Sequence, residues 1–153
     1  MSTDARFEAA FNLLCGARIG SGMSRTVFEC SLLPGFVVKV EDESSCWHQN
    51  ALEYLTWETV KHTKASRWFA ACRWISPNGL ILIQEKTRPP LTSEFPDSLP
   101  IWFTDFKPDN YGVVRAREQG EKDWFVCHDY GTSLVLQEGT TTSRKKKVGW
   151  GEL

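Results

Sequence analysis

The apolar residues of this 153-residue chain come in short runs. Phe36-Val37-Val38-Lys39-Val40, Leu80 to Glu85, Tyr111-Gly112-Val113-Val114 and Trp124-Phe125-Val126-Cys127 are rich in aliphatic, β-branched and aromatic residues, and turn residues bound them. Runs that short suit strands and not helices, which need more residues to offset their nucleation cost. Two stretches read otherwise. Residues 3 to 15 can be capped by Thr3 or Asp4 and repeat Phe7, Phe11 and Leu14 at helical spacing. Cys46 to about His62 carries Trp47, Ala51, Leu52, Leu55 and Val60 on several faces, which predicts a well-buried helix. The expected fold class is α+β: a twisted antiparallel sheet of about five strands with the 46–62 helix packed on it, then a smaller hairpin.

The turns punctuate the same pattern. Ala17 to Gly20 and Thr26 to Cys30 read as strands around Gly20-Ser21-Gly22-Met23-Ser24-Arg25, where glycines would let backbone N–H groups approach an anion. A plain glycine hairpin is the other reading. Leu32-Leu33-Pro34-Gly35 is a turn, and Ser76-Pro77-Asn78-Gly79 joins strands expected over 68–75 and 80–85. Arg88 to Pro100 holds four of the seven prolines and reads as an ordered crossover. Arg115 to Asp123 is charged and reads as a solvent-facing hairpin turn. The end, 140–153, with Thr-Thr-Thr-Ser and Arg144-Lys145-Lys146-Lys147, is expected to be a flexible basic tail.

Composition narrows the class. A net charge of −1 gives no overall pull toward nucleic acid, and no apolar run is long enough to span a membrane. Met1-Ser2-Thr3-Asp4 is polar and unlike a signal peptide. Five scattered cysteines without a C-x-x-C spacing fit reduced thiols and a cytoplasmic setting. His48, His62 and His128 have no mutual spacing that implies a metal. Seven tryptophans require many rings to be buried or used for binding.

The most informative polar stretch is Thr104-Asp105-Phe106-Lys107-Pro108-Asp109-Asn110, between Ile101-Trp102-Phe103 and Tyr111-Gly112-Val113-Val114. It reads as a tight loop between two short buried strands. Carboxylate, ammonium and carboxamide in six residues suit a site that positions a hydroxyl, a phosphate and a divalent cation. Further on, Asp129 ends a strand and is followed by Tyr130-Gly131, a common way to present a carboxylate to a metal.

In order along the chain, these pieces resemble the motifs of the protein-kinase superfamily. Gly20-x-Gly22 with Val27 and Phe28 is similar to the glycine-rich loop, with Arg25 where the third glycine would stand. Val37-Val38-Lys39 resembles the strand-three lysine motif. Glu53 resembles the helix-C glutamate that holds that lysine, with Glu58 as the alternative. Ile83-Gln84-Glu85-Lys86 falls at the hinge, and Asp129-Tyr130-Gly131 resembles D-F-G. Asp105 to Asn110 resembles the catalytic loop, with Phe103 and Thr104 in place of the usual His and Arg. The resemblance covers about 19–134. It implies a minimal kinase-like domain over 1–139, N-lobe-like over 16–86, with a catalytic and metal-binding hairpin over 101–134. Residues 86–104 and 132–153 leave no room for the usual helical C-lobe. Short kinase-like proteins of some tailed phages are similar in style.

The resemblance implies an ATP- and Mg-dependent phosphotransferase acting on a hydroxyl, of Ser/Thr-kinase type. Lys39, held by Glu53, would bind the α- and β-phosphates beneath Gly20, Gly22 and Val27, and the backbone of 84–86, including Glu85, would take the adenine. Asn110 and Asp129 would hold Mg²⁺. Asp105 would accept the proton of the incoming hydroxyl while Lys107 steadies the γ-phosphate. The rival expectation is a catalytically inert, kinase-derived module that binds and modulates a partner protein. Neither reading implies a nucleic-acid or membrane partner, and a mixed domain of unrelated function remains open.

Overall fold

The computed structural model describes residues 3–151. Met1, Ser2, Glu152 and Leu153, at the ends of the leading polar stretch and of the basic tail, lie outside them. Two compact units form. One runs up to Ala51 and resumes over Cys72–Lys86; the other takes Leu52–Ala71 and the chain from Thr87 on. Residues 52–71 belong with the later residues and not with the first sheet.

In the first unit, α1 (Thr3–Leu14) leads into β1 (Cys15–Ser21), β2 (Arg25–Cys30) and β3 (Phe36–Glu41). The chain returns as β4 (Cys72–Ile75) and β5 (Ile81–Glu85). These five strands form one sheet in the order β1-β2-β3-β5-β4, and every neighbouring pair is antiparallel. The expected α+β class and antiparallel sheet are therefore present. Strand alternation gives the sheet two distinct faces. On one, Cys15, Cys30, Val38 and Ile83 form a core, with Leu14, Phe28, Phe36, Val40 and Ile81 against it. Phe11 of α1 meets Phe28 edge-on at 5.2 Å; the side chain of Phe7 lies outside the described residues. The other face carries Val37, Lys39 and Glu41 from β3 and Leu82 and Gln84 from β5, all buried.

Helix α2 (Gln49–Val60) is shorter than expected and starts three residues later than Cys46. The cause is Glu41. Its carboxylate accepts the backbone N–H groups of Gln49 (2.8 Å) and Asn50 (3.2 Å), two of the donors that a helix start leaves without partners. The burial expected for α2 is inverted. Leu52 and Leu55 are exposed, while Asn50, Glu53, Thr56 and Val60 are buried. The buried stripe is mostly polar, so apolar periodicity could not reveal it.

The second unit has no long element beyond its share of α2. Lys64–Trp68 is a 3-10 turn, which corrects the strand expected from Trp68 onward. Thr63 caps it, its hydroxyl accepting the Ala65 N–H at 3.1 Å. The proline-rich crossover is ordered, as expected, with a 3-10 turn at Thr92–Glu94. Strand β6 covers Ser98–Pro100, so Ile101-Trp102-Phe103 is a turn and not the expected strand. Strands β7 (Tyr111–Val114) and β8 (Trp124–Cys127) make an antiparallel hairpin across the charged 115–123 turn, and α3 is the single turn Val135–Glu138.

The tail is the clearest correction. Residues 140–151 do not fray: β9 (Lys145–Lys147) pairs antiparallel with β6, Ser98 opposite Lys147 and Pro100 opposite Lys145. Trp150 then packs its ring on Phe95 at 4.9 Å, Tyr111 at 5.0 Å and Phe125 at 5.8 Å, and its Nε1 donates to the Pro96 carbonyl at 2.8 Å. A four-cation run reads as solvated; the single tryptophan beyond it overrides that signal. Trp150→Ala should therefore cost about 2–3 kcal/mol in urea unfolding, where a frayed tail would cost nothing measurable.

Candidate functional site

The residues singled out by sequence fall into two sets, one in each unit. In the first unit Lys39 is at the centre of the sheet, paired with Val27 on β2 and Leu82 on β5, and is 4% exposed. Gly20 is opposite Val27. Gly22 begins the β1–β2 turn, its N–H donating to the Arg25 carbonyl at 2.8 Å. A Cβ added at Gly20 or Gly22 would meet nothing within 4 Å, so packing within the chain does not demand glycine at either position.

Arg25, at the place of the missing third glycine, is buried and donates to Asn50 Oδ1 at 3.1 Å. Asn50 in turn donates to the carbonyls of Lys39 (3.1 Å) and Leu80 (3.0 Å). Asn50 and Glu41 thus fix the strand that carries Lys39. Sequence reasoning missed both, since an Asn and a Glu in a polar stretch give no periodic signal. At the expected adenine-facing stretch, Gln84 is held between β3 and β4, and Lys86 gives its backbone N–H to Gly35 (2.9 Å). That leaves Glu85, opposite Phe36, as the residue of the three that ends the strand.

The second unit holds Glu53, Asp105, Lys107, Asn110 and Asp129. The loop at Asp105 is built from its own backbone. Asp105 Oδ1 accepts the Lys107 N–H at 3.3 Å, an Asx-type turn, and Pro108–Asn110 closes one 3-10 turn. The Tyr111 hydroxyl donates to the Asp105 carbonyl at 2.9 Å. Burial, and then the nearby Cys127 and Asp105, push the Tyr111 pKa far up, so the hydroxyl stays a donor.

The Asp129 segment is laced along this loop at three places. Thr104 Oγ1 donates to the Thr132 carbonyl at 3.1 Å. The Asn110 carbonyl accepts the N–H groups of both His128 (2.9 Å) and Asp129 (3.2 Å). The Leu134 N–H reaches the Trp102 carbonyl at 2.8 Å. The Asp105–Asn110 and Asp129–Gly131 stretches are therefore neighbours, as the sequence reading required.

Both ring nitrogens of His128 have partners. Its Nε2 donates to the Asp109 carbonyl at 2.7 Å, so the neutral ring accepts the Thr87 hydroxyl at Nδ1, also 2.7 Å. Of the two glutamates, Glu53 is fully buried and its Oε1 accepts the Tyr130 N–H at 3.3 Å. Glu58 is partly exposed and pairs with Lys61 at 2.6 Å. Among the described residues no group of three or more His, Cys, Asp or Glu side chains is placed to hold a metal ion. Asn110 and Asp129 carry one carboxamide and one carboxylate, and the backbone bond from the Asp129 N–H to the Asn110 carbonyl makes the two residues neighbours. Hard oxygen donors in that small number suit Mg²⁺, which keeps waters and phosphate oxygens for its other positions.

Close packing fixes this corner. A Cβ on Gly112 would fall 2.3 Å from Thr87 Oγ1 and 2.4 Å from Thr87 Cβ. Gly112→Ala should destabilise the protein by about 1–3 kcal/mol. The double variant with Thr87→Gly should recover part of that loss in the same denaturation assay. No family model matches the chain, and no curated protein matches it.

Proposed function

We propose that this chain is a minimal phosphotransferase of protein-kinase type, using ATP and Mg²⁺ to phosphorylate a hydroxyl. The observation that carries the reading is the lacing of the Asp105–Asn110 loop to the Asp129–Gly131 segment through the Asn110 carbonyl, with Glu53 bonded to the Tyr130 N–H. Two motifs separated in sequence and read as parts of one chemistry are neighbours in the fold. The antiparallel sheet with a buried lysine at its centre suits the kinase N-lobe to which the first unit is likened.

Each residue then has a role. Lys39 would bind the α- and β-phosphates from the strand that Asn50 and Glu41 fix. Gly20 and Gly22 keep their outward faces clear of side chains, which suits a backbone that approaches phosphate closely. Asn110 and Asp129 would hold Mg²⁺, which when bound would neutralise charge on the phosphates. Asp105 would take the proton from the acceptor hydroxyl, and Lys107, exposed beside it, would steady the phosphoryl group in transfer.

One observation favours the rival, an inert module that binds a partner. Among the described residues after Thr87 the longest helix is the four-residue α3, so these residues do not form a helical platform of the kind on which kinases seat a peptide. The two readings part in a single assay. With labelled ATP, the protein should label itself, a generic acceptor or a cell lysate, and Asp105→Asn should lower transfer by at least ~10²-fold while leaving the ATP-dependent rise in melting temperature intact. Lys39→Ala should abolish that rise. Binding without any labelling by the wild type would select the inert module; no rise at millimolar ATP would remove the nucleotide from both.

A further inference from the structure

Beyond that reading, the second unit carries a basic depression that the proposed transfer chemistry does not use. Lys64, Ser66, Arg67 and Trp68 of the 3-10 turn line one side of it, and Thr142 and Lys145 the other, around an open volume of about 670 Å³. No carboxylate is among its lining residues. Lys64, Arg67 and Lys145 are exposed, and among the described residues none of the three is in an ion pair. The Lys145 ammonium lies over the Trp68 ring, 5.5 Å from its centroid, which holds one cation at the rim.

Three like charges gathered from segments nearly eighty residues apart repel one another, a cost that a counter-charge would relieve. Protection of an edge strand is the ordinary reason for lysines in a short outer strand. That accounts for Lys145 to Lys147, but not for Lys64 and Arg67, which lie on a different element. Strand alternation divides β9 as well. Lys146 sits over Phe106, next to Asp105, at 5.0 Å, while Lys145 and Lys147 point to the opposite face.

We infer that this depression is a docking site for an acidic, Asp/Glu-rich segment of a partner protein. The chemistry favours a peptide over a nucleic acid. The ring that would stack a base already carries Lys145. Short acidic side chains need only the local cations.

The test is fluorescence anisotropy with a fluorescein-labelled octapeptide of alternating Asp and Glu, in about 20 mM salt, where screening is weak. No ATP is present, so the result is independent of the transfer reaction. Lys64→Glu with Arg67→Glu reverses two exposed charges in the depression. Arg115→Glu with Lys122→Glu makes the same change of net charge on the exposed hairpin turn. The wild type should bind, the first double variant should lose at least about tenfold in affinity, and the second should stay within about twofold. Thermal unfolding of each variant checks that the fold survives. No binding by the wild type would overturn the proposal. Equal losses in both double variants would do the same, because they would mark a diffuse charge effect. An oligothymidylate of equal charge that binds more tightly and displaces the peptide would overturn the assignment to peptide.

Discussion

The Asn110 carbonyl is the interaction on which the second unit's geometry depends. The β7–β8 ladder ends at Tyr111 opposite Cys127, and beyond it one oxygen receives the amides of His128 and Asp129. A carbonyl has two lone pairs, so it can close two bonds at once. Doing so carries the hairpin's register past its last regular pair and into both polar loops. Asp105 and Asp129 lie outside any helix, and Asn110 ends a single 3-10 turn. Their placement comes from this bond, from the Tyr111 hydroxyl under the Asp105 carbonyl, and from the Thr104 and Leu134 contacts on either side.

The first unit solves a related problem with side chains. Burying Arg25, Glu41 and Asn50 would cost several kcal/mol without partners. Asn50 and Glu41 meet it by spending their oxygens and amide on backbone groups and on Arg25. Polar satisfaction, not apolar contact, therefore sets where α2 begins and which of its faces turns inward.

That explains what the sequence could and could not disclose. Strand positions were legible, because β-branched runs between turns leave few alternatives: β3 and β8 fall within a residue of where Phe36-to-Val40 and Trp124-to-Cys127 place them. The polar loops were legible from residue type and spacing. The face of α2 was not, since a stripe of Asn50, Glu53 and Thr56 has no hydrophobic period. The turn at 101–103 was misread because three apolar residues look like a strand, although Trp102 and Phe103 are buried as isolated rings in a turn. The tail was misread because charge density dominates a local reading, while the contacts of Trp150 lie 25 to 55 residues away in sequence. The partition into two units was hidden for the same reason: 52–71 is bound to later residues by contacts such as Phe69 on Trp102, Phe103 and Tyr130.

Those rings answer how the second unit holds together with strands of only three or four residues. A four-residue hairpin is not stable alone. Here Phe69 is the hub of one aromatic group, with Trp102, Phe103 and Tyr130 at 4.8–5.3 Å from it. Trp150 is the hub of another, with Phe95, Tyr111 and Phe125. Ring pairs in such arrangements add about 0.5–1.5 kcal/mol each beyond the area they bury. The Phe103–Tyr111 contact at 5.9 Å joins the two groups, and both residues flank the Asp105 loop. The loop's ends are thus anchored in the best-packed part of the unit, and its polar residues are left at the surface. Aromatic packing supplies the anchorage that strands of three or four residues do not.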